Sequence, residues 1–145
     1  MVFSTEAAPQ TRLAFMQWYT AQVEWREEHA YDDPRVTTLA LQSWLREMHQ
    51  TFPDLNGPDA TEDTERYWAD YSIGKHVIYV AFGWSVTAAA YETAYSLAAK
   101  HQVGFFDTSG GMPPAILLPQ DGVLKPLPER APQAQLPRKP WWKLW

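Results

Sequence analysis

Between Asp70 and Asp107 the chain reads DYSIGKHVIYVAFGWSVTAAAYETAYSLAAKHQVGFFD, and few folds can accommodate that stretch. Tyr67–Ser72 and His76–Trp84 read as two strands, joined by a tight turn at Gly74-Lys75. In the second, Val77, Tyr79 and Ala81 share one face while Ile78, Val80, Phe82 and Trp84 share the other. Both faces are apolar, which places this strand inside a sheet rather than at its edge. Ser85 is positioned to cap a helix over Val86–His101, whose alanines allow close approach to a sheet, with Tyr91 and Tyr95 as larger anchors. Val103–Phe106 returns as a strand. Strand, helix, strand implies a right-handed crossover.

Upstream, Met1-Val2-Phe3-Ser4 reads as an edge strand or the stump of one. Apolar residues from Gln10 to His29 recur at three- and four-residue steps and predict a broadly buried helix that stops before Pro34. A second helix is expected to start at Thr37 or Thr38, with Leu41, Trp44, Leu45, Met48 and Phe52 forming one buried stripe, and to end at Pro53. The expected fold class is α+β. A small, mostly antiparallel sheet, built from a hairpin and a β-α-β crossover, packs against two N-terminal helices and one Ala-rich helix. Residues 1–112 form a single domain in this reading. Residues 113–145 form a proline-rich extension ending in Trp141-Trp142-Lys143-Leu144-Trp145, with short strands possible at Ala115–Leu118 and Gly122–Leu127 around the turn Gln120-Asp121-Gly122.

Charge narrows the function classes. Up to residue 130 the chain carries seventeen carboxylates against nine of its basic residues, a formal −8, while the last fifteen residues carry +3. Neutralising phosphates needs clustered Lys and Arg, so an acidic body argues against nucleic-acid binding. With no cysteine, disulfides and thiolate metal sites are excluded, and a reducing cytoplasm is compatible. No apolar run is long enough to span a bilayer. Residues 1–20 lack the basic start and apolar run of a signal peptide, so a cytoplasmic location is expected.

Chemical motifs are sparse. The four histidines show neither HxH nor HExxH spacing, so no metal site is expected. There is no GxSxG elbow, and Thr108-Ser109-Gly110-Gly111 leads into prolines rather than the helix N-terminus that a phosphate loop requires. No cofactor is expected, and the whole argues against an enzyme. Asp107, ending a strand beside the glycine pair, is the best single acid–base candidate, although a turn role suits an Asp there better. Two surface features remain. Asp59, Glu62, Asp63 and Glu65 crowd four acids into seven residues just ahead of Tyr67 and Trp68. The rings of Trp141, Trp142 and Trp145 are suited to docking on an apolar groove of this chain or of a second copy, which would make a homodimer.

Taken together, the segments MVF…AAPQTRLAFMQWY, EEHAYDDPRVT, FPDLNGP and DYSIGKHVIYVAFGWS…AYSLAAKHQVGFFD resemble a group of small uncharacterised bacterial proteins encoded beside secreted toxins, where immunity proteins are common. The likeness spans roughly residues 1–107 and leaves out the proline-rich tail. It departs from the group at the start, where relatives have further residues before MVF, and at Gln102, where Gly or Asn would suit a helix C-cap better. The resemblance implies a non-enzymatic, cytoplasmic protein that neutralises a basic toxin domain by covering its active site. Steering would come from Asp59, Glu62, Asp63 and Glu65, and anchoring from Tyr67 and Trp68. Two other readings are a small enzyme or ligand-binding protein with a pocket near Asp70, Tyr71 and Asp107, and an interaction module acting through the Trp-rich tail.

Overall fold

The computed structural model describes residues 1–58, 60 and 67–128. Its strands are β1 (Val2–Phe3), β2 (Ala69–Ile73), β3 (Val77–Phe82), β4 (Gly104–Phe106), β5 (Ile116–Gln120) and β6 (Val123–Pro126). Its helices are α1 (Arg12–Gln22), α2 (Leu39–Thr51) and α3 (Thr87–Lys100). The strands form one six-stranded sheet in the order β2-β3-β1-β4-β5-β6, with antiparallel neighbours throughout. The fold is mixed α+β.

Strand alternation sorts the core into two layers. Val2, Ile78 and Phe105 face α2 and α3, where they pack with Leu41, Trp44, Leu45, Met48, Ala90, Ala94 and Ala98. Their chain neighbours Phe3, Val77 and Phe106 face α1 and pack around Phe15. Successive strand residues point to opposite faces, so each of these apolar pairs serves both layers at once.

Several expectations from the sequence are corrected. Strand β1 lies inside the sheet, between β3 and β4, and is not an edge. Two residues carry too little pattern to reveal this, but Val2 and Phe3 are both buried to 1% exposure or less. The crossover through α3 therefore joins strands that are not neighbours, because β1 occupies the position between them. Helix α1 stops at Gln22 rather than near His29, and only Phe15 on it is fully buried, while Leu13 is 73% exposed. Beyond it, Trp25 takes a left-handed conformation (φ 52°) that turns the chain back toward the β2–β3 hairpin. Ser85 does not cap α3; a 3-10 turn at Trp84–Val86 leads into the helix, and the Thr87 hydroxyl donates to the Trp84 carbonyl at 3.1 Å. The short strands expected at Ala115–Leu118 and Gly122–Leu127 do form, as β5 and β6: β5 pairs with β4, and a two-residue turn with positive φ at both Asp121 and Gly122 joins it to β6. That is the primed turn whose twist matches antiparallel strands.

Helix α2 follows its spacing closely. The Thr38 hydroxyl accepts from the Leu41 amide, and Leu41, Trp44, Leu45, Met48 and Phe52 are at most 2% exposed. Glu47 ties α2 to the end of α3 by accepting from Lys100 (2.8 Å) and His101 (3.1 Å). Its pKa is lowered, first by the Lys100 hydrogen bond.

Helix α3 ends with the Val103 amide donating to Ala98 and the Gln102 amide to Ala99, the paired bonds of a Schellman stop. The left-handed position of that stop belongs to Gln102, at φ 57°. A side chain is strained there by roughly 1–2 kcal/mol. The Gln102 amide group returns part of this by donating to the Ala99 carbonyl at 2.9 Å. Gln102→Gly is therefore expected to raise stability by about 1 kcal/mol in chemical denaturation. A loss of stability would show that the side-chain bond outweighs the strain.

Candidate partner-binding surface

Strand β3 ends at Phe82 because Gly83 follows, and the 3-10 turn then swings Trp84 away from the sheet. Trp84 is 97% exposed. The alternation of β3 assigns it to the apolar inner face, and the tight turn overrides that assignment. The dipeptides Gly83-Trp84 and Trp84-Ser85 were the available signal, since Gly and Ser favour a turn over a continued strand.

The Trp68 indole lies so close to Gly83 that an added Cβ there would sit 3.2 Å from Nε1. Tyr67, 43% exposed, lines a concavity of about 340 Å³ together with Ser85, Val86, Ala88 and Ala89 at the start of α3. The small side chains of α3 leave this hollow, whose wall includes Ser85, the residue after Trp84. Of the nine residues expected to meet a partner, Tyr67 and Trp68 are the two the structure describes; Trp84, not among the nine, is more exposed than either. Asp59, Glu62, Asp63, Glu65, Trp141, Trp142 and Trp145 lie outside the described residues.

Asp70, Tyr71 and Asp107 do not converge. Asp70 is exposed on the edge strand β2 and accepts from the Asn56 side-chain amide at 3.2 Å. Tyr71 is buried, and its hydroxyl donates to the Phe52 carbonyl at 2.7 Å. Burial, and secondarily the charge of Asp54, push its pKa up, so it stays a neutral donor. Asp107 follows β4, three strand spacings across the sheet from β2, or about 14 Å at the usual strand spacing. Its Oδ1 accepts from the Ser109 and Gly110 amides at 3.1 and 2.7 Å, the geometry of an Asx turn. Asp107 also borders a cavity of about 100 Å³ floored by Trp44, Tyr91 and Ala94, which neither Asp70 nor Tyr71 lines. The Tyr91 pKa is raised by burial and then by Asp107.

Among the described residues no three His, Asp or Glu side chains gather where they could hold a metal ion. No described helix is long and apolar enough to cross a membrane. In comparisons with protein-family models, curated proteins and solved structures, nothing matches this chain.

Proposed function

We propose that this is a non-enzymatic protein-binding protein of the immunity type, which neutralises a basic bacterial toxin domain in the cytoplasm by covering its active site. The observation that carries the reading is the near-complete exposure of Trp84, together with part-exposed Tyr67 lining a hollow whose wall begins at the next residue, Ser85. Burying a large side chain is worth roughly 1.5–3 kcal/mol, which this fold leaves unrealised at Trp84. Exposed Trp and Tyr next to a cavity are the residues that most often dominate association energy. The partner's sign follows from charge. The body carries a formal −8, and Asp59, Glu62, Asp63 and Glu65 immediately precede Tyr67 in the chain. Like charges are kept away by such a surface and basic ones are steered toward it.

The test is binding to the toxin encoded beside the gene. Trp84→Ala should weaken the complex 10- to 100-fold, the range of a 1.4–2.8 kcal/mol hot spot. Stability of the free protein should change by no more than about 0.5 kcal/mol, as for any surface substitution. Reversing Glu62, Asp63 and Glu65 should slow association and flatten its dependence on salt. Full affinity in the Trp84 variant would remove this surface from the reading.

A further inference from the structure

We infer that residues 24–33 form a proton-controlled strap, fastened over the β2–β3 hairpin when His29 is doubly protonated and loosened when it is neutral. The strap begins where Trp25 turns in its left-handed conformation and ends at Asp33, which caps the 3-10 turn Pro34–Val36. It lies on the α1 side of β3, with the Trp25 ring 5.0 Å from Tyr31 and 6.4 Å from Tyr79. Hydrogen bonds tie it down. The Ile73 amide donates to the Tyr31 carbonyl at 2.8 Å, and the Lys75 amide donates to the Glu27 carboxylate at 3.0 Å. The Glu27 amide donates to the Tyr31 hydroxyl at 2.8 Å.

His29 joins these ties. Its Nδ1 meets the Ala30 carbonyl at 2.8 Å, and its Nε2 meets the Glu27 carboxylate. A carbonyl and an ionised carboxylate only accept, so both ring nitrogens must donate. The imidazolium alone satisfies both; either neutral tautomer leaves one acceptor facing a lone pair. The carboxylate concerned is the one that receives the Lys75 amide, so a change at His29 is felt at the hairpin. The charges acting on the ring are Glu27 and then Asp33, with Asp33 itself held by Arg35 and kept down to about 2 by the Arg35 hydrogen bonds. From the hairpin, Lys75 presents its backbone N–H to Glu27, and Tyr31 packs its ring 4.9 Å from the imidazole.

The hydrogen bond to Ala30, followed by that to Glu27, raises the His29 pKa above its ordinary value of 6.5. A raised folded pKa means the tie is fully present below about 6.5 and is lost as pH climbs through the folded value. The strap is thus closed below pH 6.5 and released as the pH climbs through the raised His29 pKa. Asp32, near its far end, walls a hollow of about 430 Å³ with Pro34, Asp54 and Asn56. Release would reshape that hollow.

The experiment is amide exchange on the full-length protein at pH 6 and about pH 8.5, corrected for the intrinsic chemical rate, with the His29 ring titrated by NMR. The Ile73 and Lys75 amides should lose protection at least five-fold relative to Ile78, over the pH range in which His29 titrates above 6.5. His29→Phe keeps a ring on Tyr31 but no donor; it should show low protection at both amides at either pH. Glu27→Gln, which keeps the side-chain shape, should remove the pH dependence. Flat protection across the titration, or a His29 midpoint at or below 6.5, overturns the proposal.

Discussion

Gly104→Ala is expected to cost about 3 kcal/mol, the upper end of what overpacking a core does. A Cβ on residue 104 would stand 2.2 Å from two atoms of the Phe3 ring, far inside van der Waals contact. The ring has nowhere to go. Phe3 is fully buried, pairs directly with Gly104 across β1 and β4, and meets Phe15 at 4.9 Å and Trp18 at 6.0 Å. Any movement that admits the methyl group must disturb the α1 layer or the centre of the sheet. For a chain of this size the melting temperature should fall by roughly 10 °C. Phe3→Leu is also destabilising, through the cavity it leaves, but in the Gly104→Ala background it should restore part of the loss. The double variant should be more stable than the two single effects summed, a coupling expected only of residues in contact. A Gly104→Ala protein that melts within about 2 °C of the parent would show that the strands part easily there, and the account of the core would fail.

Trp44→Ala is expected to be the most damaging truncation in the other layer, at about 3–5 kcal/mol. Its indole is completely buried between α2, α3 and the sheet, and its Nε1 donates to the Ala94 carbonyl at 3.1 Å. Truncation therefore opens a large cavity beneath Val2 and Phe105 and removes a buried donor at the same time. Trp44→Phe separates the two effects. It keeps most of the apolar volume and gives up the hydrogen bond, whose net worth is about 0.5–1.5 kcal/mol. Denaturant titrations of both variants measure this directly, and the slope with denaturant should stay constant if the unfolded state is unaltered. If Trp44→Ala cost less than about 1.5 kcal/mol, the indole could not be the fully enclosed group described above.

Trp44 and Trp84 together show where sequence reasoning succeeds and where it stops. Trp44 falls within the stripe Leu41, Trp44, Leu45, Met48, Phe52, and a five-residue pattern at helical spacing leaves one face to bury. Trp84 also continues a pattern, the alternation of β3, yet the chain turns at Gly83 before the pattern reaches it. The candidate partner-binding surface was half legible for this reason. Tyr67 and Trp68 stand out from the sequence by their position after an acidic run, whereas Trp84 emerges only once the strand's end is placed. Asp70, Tyr71 and Asp107 looked neighbourly because the motif that contains them is short in sequence. The order of strands puts β3 and β1 between them.

The sequence by itself determined the local elements: the apolar stripe of α2, the strand-turn-strand at Gly74-Lys75, the Asp121-Gly122 turn and the α+β class. These follow from interactions over a few residues, whose geometry any copy of the segment shares. The tertiary structure alone decided that Val2 and Phe3 form an interior strand, that β5 and β6 extend the same sheet, and that residues 24–33 leave the helix to lie on the hairpin. Each of those outcomes pairs backbone groups that are tens of residues apart. Such pairing is chosen by which apolar faces can be buried together, and no local pattern encodes that choice.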